Sequence, residues 1–288
     1  TFNIGVSIDR YDANQNILRD PYSLYGLKTL GSLKSGSYKL AKNSQTNKIA
    51  PDPKSAGFDE SWVPYVDNNQ ASQPTLVGYR KGDTWYDPFG KEISDPTILS
   101  EEYANGLPIQ PWLTDPTDSI KSEGYKVDNA FTDYAPDIAI SPRIRFTFPI
   151  TDQALFYGNY DILAQYPQGR NFVTPDDYYF QSERGGVINN ANLRMQKSIN
   201  YTLGFEQAVT RRSKVGIEVY YIERKDQIQQ QRFTLAYPQA YTSYGNRDYS
   251  TTKGFTLNYK LQPTAKLPLR FTLAYRLQFA EGTGSSST

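Results

Sequence analysis

No histidine and no cysteine occur in the 288 residues, so any chemistry must come from carboxylates, amines, guanidiniums, hydroxyls and amides. That excludes the usual imidazole base, the commonest metal ligand and every thiol nucleophile. Asp12, Asn14, Asn16 and Asp20 are spaced like the oxygen ligands of a calcium loop, although the central Gly and the terminal bidentate Glu are missing. Asp176 and Asp177 form a second acidic pair. Calcium at such loops is one expectation, and turn formation is the ordinary role of these residues. Asp83 and Asp87 could supply an acid and a base, but their spacing in an irregular stretch does not set their separation in space. Gly185 and Gly186 lack the strand and helix context of a phosphate cradle, and no nucleophile elbow or Walker sequence occurs. The chain is therefore expected not to be an enzyme and to need no cofactor, calcium in the outer loops apart.

Recognition is the other chemistry open to these residues. Trp62, Tyr65, Trp85, Tyr86, Tyr103 and Trp112 lie among Pro, Gly and Asp in one long segment. Rings in a polar loop can stack on a ligand or press on a partner protein. The same rings could instead be the small core that a long segment needs to be ordered. A formal charge of +1 gives no global field that would gather nucleic acid.

The elements that must position these residues are strands, as the 24 Tyr and 14 Phe beside a single Met suggest. Leu269, Phe271, Leu273, Tyr275, Leu277 and Phe279 alternate with smaller or polar residues, which puts one apolar face on a strand long enough to span a bilayer. The pattern repeats over Phe255 to Leu261, Val215 to Tyr221, Tyr201 to Val209, Gln153 to Asp161, Ile144 to Ile150 and Phe2 to Ile8. Arg143, Arg145, Glu206, Glu218, Lys260, Arg270 and Arg276 fall on the opposite, polar face, which requires water or hydrogen-bonding partners.

Long connections, at about 11–140, 163–198 and 224–252, follow the first, third and fifth strands, whereas the others end in short turns. Long loops on one rim and short turns on the other are the layout of an outer-membrane barrel, with the long loops extracellular. A soluble antiparallel domain with an insertion is the alternative. Seven strands do not make the even-stranded closed wall of a single-chain barrel, so residues 1–288 are expected to be a partial barrel from a larger protein.

The strings FNIGVSIDRYDANQ, SPRIRFTFPITDQALFYGNYDILAQYP, NNANLRMQKSINYTLGFEQ and YGNRDYSTTKGFTLNYKL resemble the barrel of the TonB-dependent receptor superfamily, in the SusC-like version common in Bacteroidetes. Asn192, Leu193 and Arg194 match the start of that family's Asn-Leu-Lys-Pro-Glu segment, but Met195 and Gln196 stand where Pro and Glu are usual. Tyr201, Gly204, Phe205 and Glu206 match its Tyr-x-x-Gly-Phe-Glu strand; Lys253, Gly254 and Phe255 match a late Gly-aromatic motif in which Thr256 replaces Glu. The resemblance implies an all-β transmembrane antiparallel barrel of about 22 strands in the bacterial outer membrane, occluded by a separate plug. It further implies import of a nutrient such as a glycan, peptide or metal chelate, with a TonB-type energy transducer and a surface lipoprotein as partners. A non-transporting scaffold in a multiprotein outer-membrane complex is the alternative role.

Overall fold

The computed structural model describes residues 1–181, 185–264 and 268–283. Seven long strands carry the fold: β1 (Phe2–Tyr11), β2 (Asp137–Thr151), β3 (Ala154–Gln165), β4 (Gln196–Thr210), β5 (Ser213–Phe233), β6 (Tyr241–Leu261) and β7 (Phe271–Gly282). Each pairs antiparallel with the next in chain order, giving an open wall with β1 and β7 at its edges. All seven coincide with the alternating stretches of the sequence. An up-and-down order follows from the short turns, such as Thr210 to Ser213, where the two hydroxyls lie 2.8 Å apart and the turn closes on itself.

The register aligns the two faces from strand to strand. Tyr160, Tyr201 and Tyr221 stand side by side on β3, β4 and β5, with ring centroids 5.1 and 6.1 Å apart, and continue the apolar face of Leu203, Phe205, Ile217, Val219, Phe255 and Leu257. These side chains are largely exposed, as a face in contact with lipid must be. On the other face the wall is kept thin by glycine. A Cβ at Gly204 would fall inside the Tyr157 ring, and one at Gly254 would strike the Leu277 carbonyl and the Tyr220 phenol. Each glycine thus lets a neighbouring tyrosine lie flat across the strand.

β5 and β6 have 21 residues each, about twice the 9–11 that cross a bilayer at the usual tilt. The stretch 224–252, expected as a loop, is therefore mostly ladder, and only residues 234–240 connect the two strands. Its pairing is broken by two bulges: Gln227 faces Asp248 after Arg224 faces Ser250, and Ile228 then faces Asn246. Asp226 takes a φ of 57° at the first of them. One extra residue in each strand inverts its alternation. Ser250, on the polar face, donates to Gln227 Oε1 at 2.9 Å, so Gln227, Gln231 and Phe233 also point to that inner side, although odd residues of β5 below the bulge face lipid.

The segment between β1 and β2 is not an irregular loop either. It folds into a cap around a small sheet whose central strand, Thr75–Lys81, pairs with Val63–Val66, Thr84–Tyr86 and Lys39–Leu40. Two apolar clusters fill it, one around Tyr65, Val77, Trp85, Leu99 and Leu113, the other around Leu30, Val66, Leu76, Tyr79 and Trp112.

Candidate functional site

The cap docks on the inner side of the raised β5–β6 hairpin. Tyr22 meets Phe233 edge to face at 5.1 Å, and Phe233 stacks on Tyr241 at 4.8 Å. Main-chain bonds run from Leu24 N to the Tyr237 carbonyl (3.1 Å) and from Tyr237 N to the Tyr22 carbonyl (2.9 Å), and the Tyr241 hydroxyl donates to the Pro21 carbonyl at 2.6 Å. The segment before β4 joins the same body, because Asn190 Nδ2 donates to the Tyr244 carbonyl and Ser243 Oγ to the Ile188 carbonyl.

Charge holds this junction together. Arg80 lies on the central cap strand with only 2% of its side chain exposed, and donates to Asp20 Oδ2 at 2.5 Å and to the Gly82 carbonyl at 2.6 Å. Its guanidinium sits 4.3 Å from the centre of the Tyr22 ring. Arg80 Nε is buried without a partner among the described residues, so Asp20 is the main compensation for this charge. Beyond it, Asp83 forms an ion pair with Arg247 of the hairpin and accepts from the Tyr22 hydroxyl at 3.4 Å. Burial pushes the phenols of Tyr65 and Tyr178 well up, and that of Tyr134 up to about 12. Asp59, on the surface, is held below the usual carboxylate range by hydrogen bonds from Lys81 and Ser61.

The ring residues singled out as recognition candidates are largely core. Tyr65, Trp85, Tyr103 and Trp112 are buried, and Trp62 stacks on Tyr86 at 4.1 Å against the second cluster. Of the two roles the sequence leaves open for these rings, their burial fits the small core that a body of this size needs. The calcium-loop residues are dispersed among separate tasks. Asp12 accepts from Arg10 at 2.9 Å, Asn14 turns the chain with a φ of 49°, Asn16 enters a two-strand pairing with Phe131–Asp133, and Asp20 serves Arg80. Among the described residues, no group of three His, Cys, Asp or Glu is placed to hold a metal ion. Asp177 caps its own helix, Pro175–Tyr179, by accepting from Thr174 N at 2.8 Å. Asp87 accepts from the Phe89 and Lys91 amides in a tight turn, while Asp83 lies at the hairpin, so the two do not act as a pair.

The polar wall lies where the alternation places it. Arg143 and Arg145 line a groove of about 460 Å³ with Asn3, Asn159 and Asp161. Asp161 accepts from Asn159 at 2.6 Å and from Asn200 at 2.8 Å. Glu206 pairs with Lys214 at 2.6 Å, Glu218 accepts from Tyr157 at 2.9 Å, and Arg276 donates to Thr256 at 3.3 Å. Lys260 stands opposite Lys214 in the ladder. Arg270 precedes β7 and takes no part in its pairing.

The departures from the family motif have local reasons. Met195 is buried, and its amide donates to Asp137 Oδ2 at 2.9 Å, a bond a proline could not make. Gln196 Oε1 accepts from Ile228 N at 3.4 Å, tying β4 to the bulged part of β5. Thr256 lies buried between Glu218 and Arg276, where its hydroxyl takes the bond just described. Arg80 escaped the sequence reading; its signal was a lone guanidinium in the apolar run Leu76, Val77, Tyr79.

An antiparallel wall, apolar on one face and polar on the other, with short turns at one end and a folded cap at the other, defines an outer-membrane β-barrel segment. The chain belongs to the family described as TonB dependent receptor-like, beta-barrel, which it matches over residues 2–287; this family resides in the bacterial outer membrane. None of the curated proteins matches it. Solved structures similar to it include the FrpB iron transporter from Neisseria meningitidis (F3-3 variant), at 12% identity and a TM-score of 0.36 over 51% of this chain and 20% of that one. The copper transporter OprC is similar at 16% identity and a TM-score of 0.31, over 46% of this chain and 19% of that one. The chain thus spans about a fifth of either transporter's length.

Proposed function

We propose that this chain forms part of the wall and outer cap of a TonB-dependent importer that carries a nutrient such as a glycan, peptide or metal chelate across the outer membrane. The supporting observation is the docking of the cap on the inner side of the raised hairpin, above a polar wall. A solute arriving from outside meets the cap before it reaches Arg143, Asp161 and Glu218. In this reading the rest of the barrel, a plug, a TonB-type transducer and a SusC-like receptor's surface lipoprotein complete the machine. The test is uptake of labelled nutrients by cells carrying the full-length protein, with and without the transducer, and with residues 20–130 replaced by a short linker. Import predicts a transducer-dependent uptake that the cap deletion abolishes. Uptake unchanged by loss of the transducer and by the cap deletion, with envelope proteins that copurify with the intact receptor lost from the deletion variant, would instead establish a scaffold.

A further inference from the structure

Between the cap and the raised hairpin lies a cavity of about 440 Å³ lined by Asp83, Asn192, Arg194, Gln231, Tyr244 and Arg247, among others. Much of its hydrogen-bond accepting capacity is already engaged. Asp83 serves Arg247 and Tyr22, and Gln231 Oε1 accepts from Arg247 Nε at 2.9 Å. Asn246, also on the wall, accepts from Arg194 N at 2.8 Å and gives its own amide to the Arg194 and Asp226 carbonyls. Asn190 accepts from Asn192 N and donates to the Tyr244 carbonyl, each at 2.8 Å.

What stays open is mostly donor. Arg194 is 62% exposed and has Asp226 as its side-chain ion-pair partner, at 3.8 Å, and Asn192 is exposed beside it. Arg170 lies 4.7 Å from the centre of the Tyr244 ring at the cavity edge. Two guanidiniums, those of Arg194 and Arg247, thus line the cavity beside one carboxylate, Asp83, which is engaged by Arg247. A neutral, hydroxyl-rich ligand brings a donor with each of its hydroxyl acceptors and no charge to offset the surplus guanidinium. A carboxylate offers acceptors only, in the planar geometry a guanidinium fork grips.

We infer that this cavity binds a solute presenting carboxylate groups, which would be the cargo class of the importer if the function proposed above holds. The experiment is calorimetric titration of the full-length receptor in detergent with citrate, and with maltotriose as an uncharged probe. Saturable citrate binding is expected, weakened about tenfold or more by Arg194→Gln and by Asn192→Leu and diminished by added salt, with no maltotriose binding. Absence of citrate binding, binding of maltotriose instead, or citrate affinity unchanged in Arg194→Gln would overturn the site. Heat-modifiable gel mobility of each variant checks that its barrel is folded. Citrate uptake in cells with and without the transducer separates the two proposals. Binding without transducer-dependent uptake removes import and leaves the site, whereas transducer-dependent uptake unaffected by Arg194→Gln removes the site and leaves import.

Discussion

Replacing Asp20 by Asn removes the charge that faces Arg80. The amide is nearly isosteric but has one oxygen where the carboxylate uses two, Oδ1 accepting from Tyr22 N at 2.9 Å and Oδ2 from Arg80 at 2.5 Å. The negative charge and one of these two bonds are lost together. Arg80 is 2% exposed, its Nε lacks a partner among the described residues, and its nearest surroundings are the rings of Tyr22 and Trp85. Removing one member of a buried pair costs about 3–5 kcal/mol. The retained neutral hydrogen bond and the 23% exposure of Asp20 reduce this to roughly 2–4 kcal/mol. Lys81, on the central cap strand, and Asp59 lie 2.6 Å apart and are both more than a third exposed, so solvent screens their attraction and Asp59→Asn should matter far less. The assay is amide hydrogen exchange of the full-length protein, followed in peptides covering 62–87 and 229–245. Where exchange follows local opening, Asp20→Asn should speed it roughly 30- to 700-fold in both peptides, and Asp59→Asn should leave it nearly unchanged. Equal effects of the two substitutions, or acceleration in the cap peptide alone, would refute the idea that a buried ion pair couples the cap to the hairpin.

Leu203→Arg, on the lipid face, should cost about 2–4 kcal/mol of barrel stability, while Thr202→Arg on the inner face should cost well under half of that; urea titration of the full-length protein in liposomes compares them. Gly204→Val forces Tyr157 off the strand and away from Glu218, and should destabilise the wall by about 1–3 kcal/mol, an effect that Tyr157→Ala in the same protein relieves. The Tyr134 phenol ionises near pH 10 when unfolded but is pushed up to about 12 in the fold, so the stability it contributes is complete below pH 10 and lost as the pH rises through 12. Tyrosinate absorbance should therefore show a late class of phenols whose ionisation coincides with faster exchange in the cap. Titration of every tyrosine at pH 10 with no change in exchange would contradict the burial assigned to Tyr65, Tyr134 and Tyr178.

The seven strands and their two faces could be read directly from the residues, because the strand period of two is a local property. Within the seven alternating stretches most apolar residues report their side through their immediate neighbours alone. The absence of histidine and cysteine removed whole classes of chemistry in the same local way. The departures at Met195 and Thr256 were visible as letters, yet their reason lies in partners far along the chain, Asp137 and Arg276. The long ladder over 224–252 was hidden because two bulges invert the alternation within it, and a bulge is defined only by the opposing strand. Whether Tyr65, Trp85 and Trp112 would be displayed or buried was undecidable from composition, since a binding surface and a small core use the same rings. Only the packed cap settles that, by closing Arg80 over Asp20 across 60 residues of sequence and setting Asp83 against Arg247 of the hairpin. Pairings at that separation depend on which segments the fold brings together, and no local pattern carries that information.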